Sequence, residues 1–148
     1  MRKQVLIVSH NQDERDLIKN LLNNFGYEIL SATDGEEGLA IACAAKPDLI
    51  ILDVLIPKKN GFAACKDLKS NPELAQIPVI LLIGSKNDSE DYWGADMYLS
   101  TPVDQRDLLK VVFYYLSKHL LLRYEREERR QQRRTIRFRG SKRGNSTR

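Results

Sequence analysis

Apolar positions along this chain follow two rhythms that take turns. The stretch KQVLIVS (residues 3–9) is a short apolar run, the length of a strand. After it, Leu17, Ile18, Leu21, Leu22 and Phe25 recur at the three- and four-residue spacing of a helix face, and Gly26 closes the segment. YEILSAT (27–33) alternates as a strand does, and DGEEGLAIACAAK (34–46) predicts a helix that Pro47 ends. LIILD (49–53) and IPVILLIG (77–84) are apolar without interruption, the pattern of strands buried on both faces. Between them GFAACKDLKSN (61–71) has helical spacing. A short polar segment, SKNDSEDYWGAD (85–96), then leads to MYLS (97–100). From Asp104 a last helical pattern carries Leu108, Leu109, Val112, Phe113 and Leu116. Strict alternation predicts an α/β fold with a doubly wound, five-stranded parallel sheet and five helices on its two faces. In such sheets ligands gather at the carboxyl ends of the strands.

Composition narrows the class. The 148 residues make one domain with an appendage, and 42% hydrophobic content suffices for one core. No apolar run approaches the ~20 residues that span a bilayer, and the first residues lack the apolar region and cleavage site of a signal peptide. The expectation is a cytoplasmic protein that is not transmembrane. Cys43 and Cys65 lie among alanines in helical patterns without metal-ligand spacing, and are expected as small core residues.

Charge divides the chain. Residues 1–117 hold 12 Lys/Arg and 17 Asp/Glu, whereas residues 118–148 hold 12 Lys/Arg and only 3 Asp/Glu. The net charge of +4 therefore describes an acidic body with a strongly basic tail. Neither Gly nor Pro occurs from Asp104 to Arg139, and 36 residues of uninterrupted helix would be ~54 Å long. Arg123 with Glu127 and Glu125 with Arg129 have the i,i+4 spacing that supports a helix, which is expected to run to about residue 134 before a flexible end. Arg126, Arg129, Arg130, Arg133, Arg134, Arg137 and Arg139 are candidates to bind a polyanion, either nucleic acid or an anionic surface. Leu120, Leu121, Leu122 and Tyr124 offer a seam for a homodimer or another protein partner, and a solvated helix that aids solubility is the plain alternative. Tyr124 and Phe138 are too sparse for a base-stacking platform, and no helix-turn-helix accompanies them.

The central apolar run ends in a carboxylate, Asp53, with Pro57 four and Gly61 eight residues later. Together with IPVILL, GAD (94–96), YLSTP (98–102) and ATDGEEGL, in this order and spacing, the chain resembles the receiver domain of two-component response regulators over about residues 3–120. The resemblance implies a CheY-like (flavodoxin-like) fold with strand order 2-1-3-4-5, a receiver at 1–121 and a basic helical extension with a flexible tail at 122–148. It makes Asp53 the phosphoacceptor candidate in a phosphorelay, with a histidine kinase or another pathway protein as partner. It implies no enzyme in its own right and no second catalytic group beside Asp53.

Carried over position by position, the family's machinery is largely replaced. Its acid pair falls on Ser9 and His10, its strand-end hydroxyl on Ile83 and its lysine on Thr101, where YLSTP stands. Mg²⁺ takes hard oxygen ligands, and unit charges ~4 Å apart interact by roughly 4 kcal/mol at an effective dielectric of 20. Losing two anions leaves at most a weak residual Mg²⁺ site at Asp53, so no cofactor is expected unless Asp53 is phosphorylated. His10 beside Asp53 offers an imidazole–carboxylate hydrogen bond instead. The expected reading is a stand-alone atypical receiver, a pseudo-receiver that works mainly as an interaction module in bacterial signalling. A genuine phosphoacceptor, or a receiver scaffold binding nucleic acid through its tail, are the alternatives. Tyr98 matches the family's switch aromatic, Thr101–Pro102 its usual cis bond, and Trp93 is either core or a partner anchor.

Overall fold

The computed structural model describes residues 2–84 and 94–146, with side chains described as far as Ile136. The strands are β1 (Gln4–Val8), β2 (Glu28–Ala32), β3 (Leu49–Asp53), β4 (Val79–Ile83) and β5 (Met97–Ser100). They form one parallel sheet in the order β2-β1-β3-β4-β5. The helices are α1 (Gln12–Asn23), α2 (Gly35–Ala45), α3 (Gly61–Ser70), α4 (Gln105–Leu116) and α5 (Lys118–Ser146). Most of the polar segment between β4 and β5, residues 85–93 with Trp93, lies outside the described residues.

The apolar runs explain the layering. Leu49 to Leu52 and Val79 to Ile83 are buried on both faces, as unbroken hydrophobic strands in the middle of a parallel sheet must be. One face packs Leu6, Ile50, Leu52 and Leu81 against α2 and α3 residues such as Ala42, Cys65 and Leu68. The other packs Val5, Ile7, Ile51 and Ile80 against Ile18 and Leu22 of α1 and Leu108, Val112 and Phe113 of α4. Asn11, Asp34, Asn60 and Asp104 cap α1 to α4, each side chain accepting a backbone N–H of the first turn. Cys65 is buried, and burial pushes its thiol up to about 11. Cys43 is exposed, contrary to expectation: its neighbour Ala42 takes the inward position on α2, and Cys43 falls one step round the helix.

The largest departure from the sequence expectation is the last helix, which does not run straight from Asp104. Ser117 (φ −153°, ψ 69°) breaks it. Its N–H donates to the Phe113 carbonyl at 2.7 Å, while its own carbonyl accepts from the N–H groups of Leu120 and Leu121 at 2.9 and 3.1 Å. The buried Tyr27 hydroxyl donates to Ser117 Oγ at 2.7 Å and pins the corner. α5 then folds back along α4. Tyr124 lies edge-to-face on Phe113 with ring centroids 6.0 Å apart, Phe113 meets Phe25 at 5.0 Å, and Lys110 pairs with Glu128 at 3.0 Å. Burial of Leu120, Leu121 and Tyr124 against the α1–α4 face offsets the interrupted helix. Of the side chains offered as a seam for a homodimer or another partner, Leu120, Leu121 and Tyr124 pack on their own domain, and Leu122 is exposed. α5 also continues past residue 134 to Ser146, across Gly140 and Gly144, each of which costs a helix only about 1 kcal/mol relative to Ala.

Tyr124→Ala should lower stability by about 1–2 kcal/mol, the value of a half-buried aromatic. It should also speed amide exchange in α5 while β1 and β3 keep their protection. Unchanged exchange in α5 would mean that the helix does not rest on the domain.

Candidate functional site

The parallel register gathers the carboxyl ends of the strands at one edge. Val8 pairs with Leu52, Asp53 with Leu82, and Ile83 with Ser100. Ser9, Asp53, Ile83 and Thr101 consequently stand at the same edge, as the sequence predicts. A cleft of about 670 Å³ opens there between the start of α1 and the loop from β5 to α4. His10, Glu14, Leu17, Asp53, Leu55 and Thr101 are among the residues lining it.

Local backbone structure holds Asp53 in place. Its Oδ1 accepts the Leu55 N–H at 3.0 Å, and the Gly61 N–H donates to the Val54 carbonyl at 3.0 Å. A Cβ at position 61 would lie 2.5 Å from both the Asp53 carbonyl oxygen and Val54 Cα, so only glycine lets α3 start so close to the strand end. The two lysines of the loop turn elsewhere: Lys58 (φ 68°) pairs with Asp34 at 3.7 Å, and Lys59 with Asp67.

Each replaced position has a structural role of its own. Ser9 is fully buried; its Oγ donates to Glu14 Oε2 at 2.8 Å and accepts the Asn11 N–H at 3.2 Å. Arg15 Nη1 donates to the Ser9 carbonyl at 2.6 Å. His10 is exposed at the cleft mouth, and among the described residues no hydrogen bond joins it to Asp53, so the imidazole–carboxylate pair offered by their nearness in the fold is not made. Ile83 is buried in the core, and its side chain offers no hydrogen-bond donor. Thr101 Oγ1 donates to the Ile83 carbonyl at 3.2 Å, and Thr101–Pro102 is cis. Tyr98 is half-exposed on the edge strand β5, a rim position. Of the basic candidates, Arg126, Arg129, Arg130, Arg133 and Arg134 are exposed on α5, whereas the side chains of Arg137 and Arg139 lie outside the described residues.

The residue that sequence reasoning missed is Glu14. It sits on the first turn of α1, oriented by the Asn11 cap, which accepts its N–H at 3.0 Å. Its carboxyl approaches Asp53. Burial pushes it above the ordinary carboxylate range; the Ser9 hydrogen bond opposes that rise and the neighbouring Asp53 adds to it. The signal was present in the spacing, because Glu14, six residues after the end of β1, falls on the first turn of the helix that starts at the same edge. Among the described residues, the cleft is thus lined by three carboxyls, Asp13, Glu14 and Asp53, and by no lysine. Among the described residues, no three His, Cys, Asp or Glu side chains are grouped to hold a metal ion. Mg²⁺ is ordinarily held by one or two carboxylates with waters completing its octahedron; here Glu14 is turned to the Ser9 hydroxyl and holds its proton more tightly than an ordinary carboxyl.

A doubly wound sheet of this order, with an aspartate ending its central strand, defines a CheY-like signalling module. Residues 5–113 match the response regulator receiver domain model, and the chain belongs to that family. Protein PilH of Pseudomonas aeruginosa is 34% identical over 113 residues, 74% of this chain and 93% of PilH. The DNA-binding dual master transcriptional regulator RpaA of Synechocystis is 36% identical over 110 residues, 72% of this chain but only 46% of RpaA. Among solved structures, Vibrio cholerae chemotaxis protein CheY4 superposes with a TM-score of 0.70 at 30% identity, covering 78% of this chain and all of that one. The family places the chain in two-component signalling. No helix among the described residues is long and apolar enough to cross a membrane.

A carboxyl whose folded value is raised binds its proton more tightly in the folded chain, so ionising Glu14 opposes folding. This cost is absent at low pH, grows through the interval between the unfolded and folded values, and is complete above it. Glu14→Gln, which still accepts from Ser9, should raise the melting temperature by a few degrees at pH 7–8. The gain should shrink to nothing near pH 4, and a gain independent of pH would contradict the assignment.

Proposed function

We propose that this receiver is atypical: it acts in two-component signalling mainly as a protein-interaction module, and Mg²⁺-dependent phosphorylation of Asp53 is impaired or absent. The observation that carries the reading is the fate of the four positions around Asp53. Phosphoryl transfer to a carboxylate relies on positioning and on cations and hydrogen-bond donors that stabilise three anionic oxygens. Around Asp53 the Ser9 hydroxyl is turned to Glu14, the Thr101 hydroxyl to a backbone carbonyl, and Ile83 has no polar atom to offer. Lys58 and Lys59 face Asp34 and Asp67. Glu14 is turned to Ser9 and holds its proton more tightly than an ordinary carboxyl, so it brings the edge neither a cation nor a free metal ligand.

On this reading, output passes through surfaces rather than through a phosphorylation cycle. The exposed side chains of Met97 and Tyr98 on β5 and of Tyr114 on α4 are the natural partner surface on the receiver itself. A histidine kinase or another protein of the same pathway is the class of partner that the family implies.

Incubation with acetyl phosphate and Mg²⁺, followed by intact mass measurement, tests this directly. The wild type should show less than a tenth of the adduct formed by S9D/H10D/I83T/T101K, which restores the family's groups, and Asp53→Asn should show none. Near-complete modification of the wild type would return Asp53 to the role of a genuine phosphoacceptor.

A further inference from the structure

The fold-back of α5 gives that helix two unlike faces. Its inward side carries Leu120, Leu121, Tyr124 and Glu128, packed on the domain or paired with Lys110. At 100° per residue, Arg123, Arg126, Arg130, Arg133 and Arg134 fall within an arc of about 100°, centred roughly 145° away from the packed side. All five are exposed, and among the described residues none of them forms an ion pair. The acids of the helix are placed differently. Glu128 is tied to Lys110, Glu125 lies 3.9 Å from Arg129, and Glu127 flanks the arginine arc without pairing with Arg123 as its spacing would allow. A helix that merely needed solubility would mix its signs on the outer face; this one sorts them.

We propose that the outer face of α5 is a binding surface for a nucleic-acid duplex, engaged through backbone phosphates without regard to base sequence. The arc spans ~16 Å of a rigid helix, a length over which a duplex presents about ten phosphate charges. Guanidinium groups match phosphate oxygens in a bidentate way. The face carries no Asn or Gln to read base edges, since Gln131 and Gln132 line the cleft toward Arg106 instead. An anionic membrane fits less well, because an interfacial helix inserts a free apolar face and here that face is packed against Phe113. The exposed apolar side chains near the arc, Leu122 and Ile136, are ~21 Å apart along the helix and form no patch. The surface is independent of Asp53 and of the reading given above for it.

The test is fluorescence anisotropy of the full chain with a labelled 30-base-pair DNA duplex of mixed sequence, titrated between 50 and 200 mM KCl. With five phosphate contacts the logarithmic salt slope should be about −4.5, a loss of a few hundred-fold in affinity across that range. R126Q/R130Q/R133Q should reduce the slope to about −1.8 and weaken binding at 50 mM at least tenfold, and R123Q/R134Q should act the same way in proportion. R2Q/K3Q/K19Q removes as many charges elsewhere and should leave the slope unchanged, as should scrambling the duplex sequence. The proposal is overturned by an absence of binding at 50 mM KCl or by an equal loss in the control variant. Tighter binding to vesicles containing phosphatidylserine than to the duplex would overturn it as well.

Discussion

Burial of β3 on both faces, between β1 and β4, is the constraint on which the rest of the molecule depends. A strand so placed has no exposed side, so its polar chemistry can stand only at its ends. Parallel pairing then sets every strand's carboxyl end at the same edge. Asp53 is where it is because Leu49 to Leu52 fill the core, and Gly61 lets the next helix begin beside the strand end without pushing the carboxylate away. The neighbours of Asp53 are fixed by the same register. Their identities decide what the edge can do, and here they are a buried serine, an isoleucine in the core and a threonine bonded to backbone.

Phe113 plays a comparable part on one face of the sheet. Fully buried, it touches Phe25 at the end of α1 and Tyr124 on α5, so the appended helix is continuous with the core rather than loosely attached. Ser117 makes this geometry accessible by stopping α4 and capping α5. The consequence is a helix whose charge is sorted outward, because its apolar side has already found a partner. Fold and appendage therefore share one hydrophobic layer, while the Asp53 cleft and the arginine face depend on different residues.

The sheet was legible because its signals are redundant: two uninterrupted apolar strands, helical spacing between them, and Gly26 and Pro47 as stops all point the same way. The positions flanking Asp53 were legible only through the resemblance to receiver domains, whose site positions carry over onto Ser9, His10, Ile83 and Thr101. The pairing of Ser9 with Glu14 was not, since it joins a strand end to a helix turn, and hydropathy pattern says nothing about which way a polar side chain leans. Ser117 was missed for a related reason. A serine inside a strong helical pattern is tolerated locally, and only the tertiary burial of Leu120, Leu121 and Tyr124, with the Tyr27 hydroxyl at the corner, makes the break favourable. Cys43 shows the limit of composition, because alanine-rich surroundings do not say which step of the helix faces the core.

The proposed loss of phosphoryl chemistry at Asp53 is tested most directly by adding beryllofluoride, a phosphoryl mimic, with Mg²⁺ and following backbone amides by NMR. The account predicts no saturable shift at Asp53 and Leu55 or along β5. Saturable shifts spreading from Asp53 to Tyr98 would contradict it, and would show an edge still able to hold a phosphoryl group and pass the signal to the outer strand.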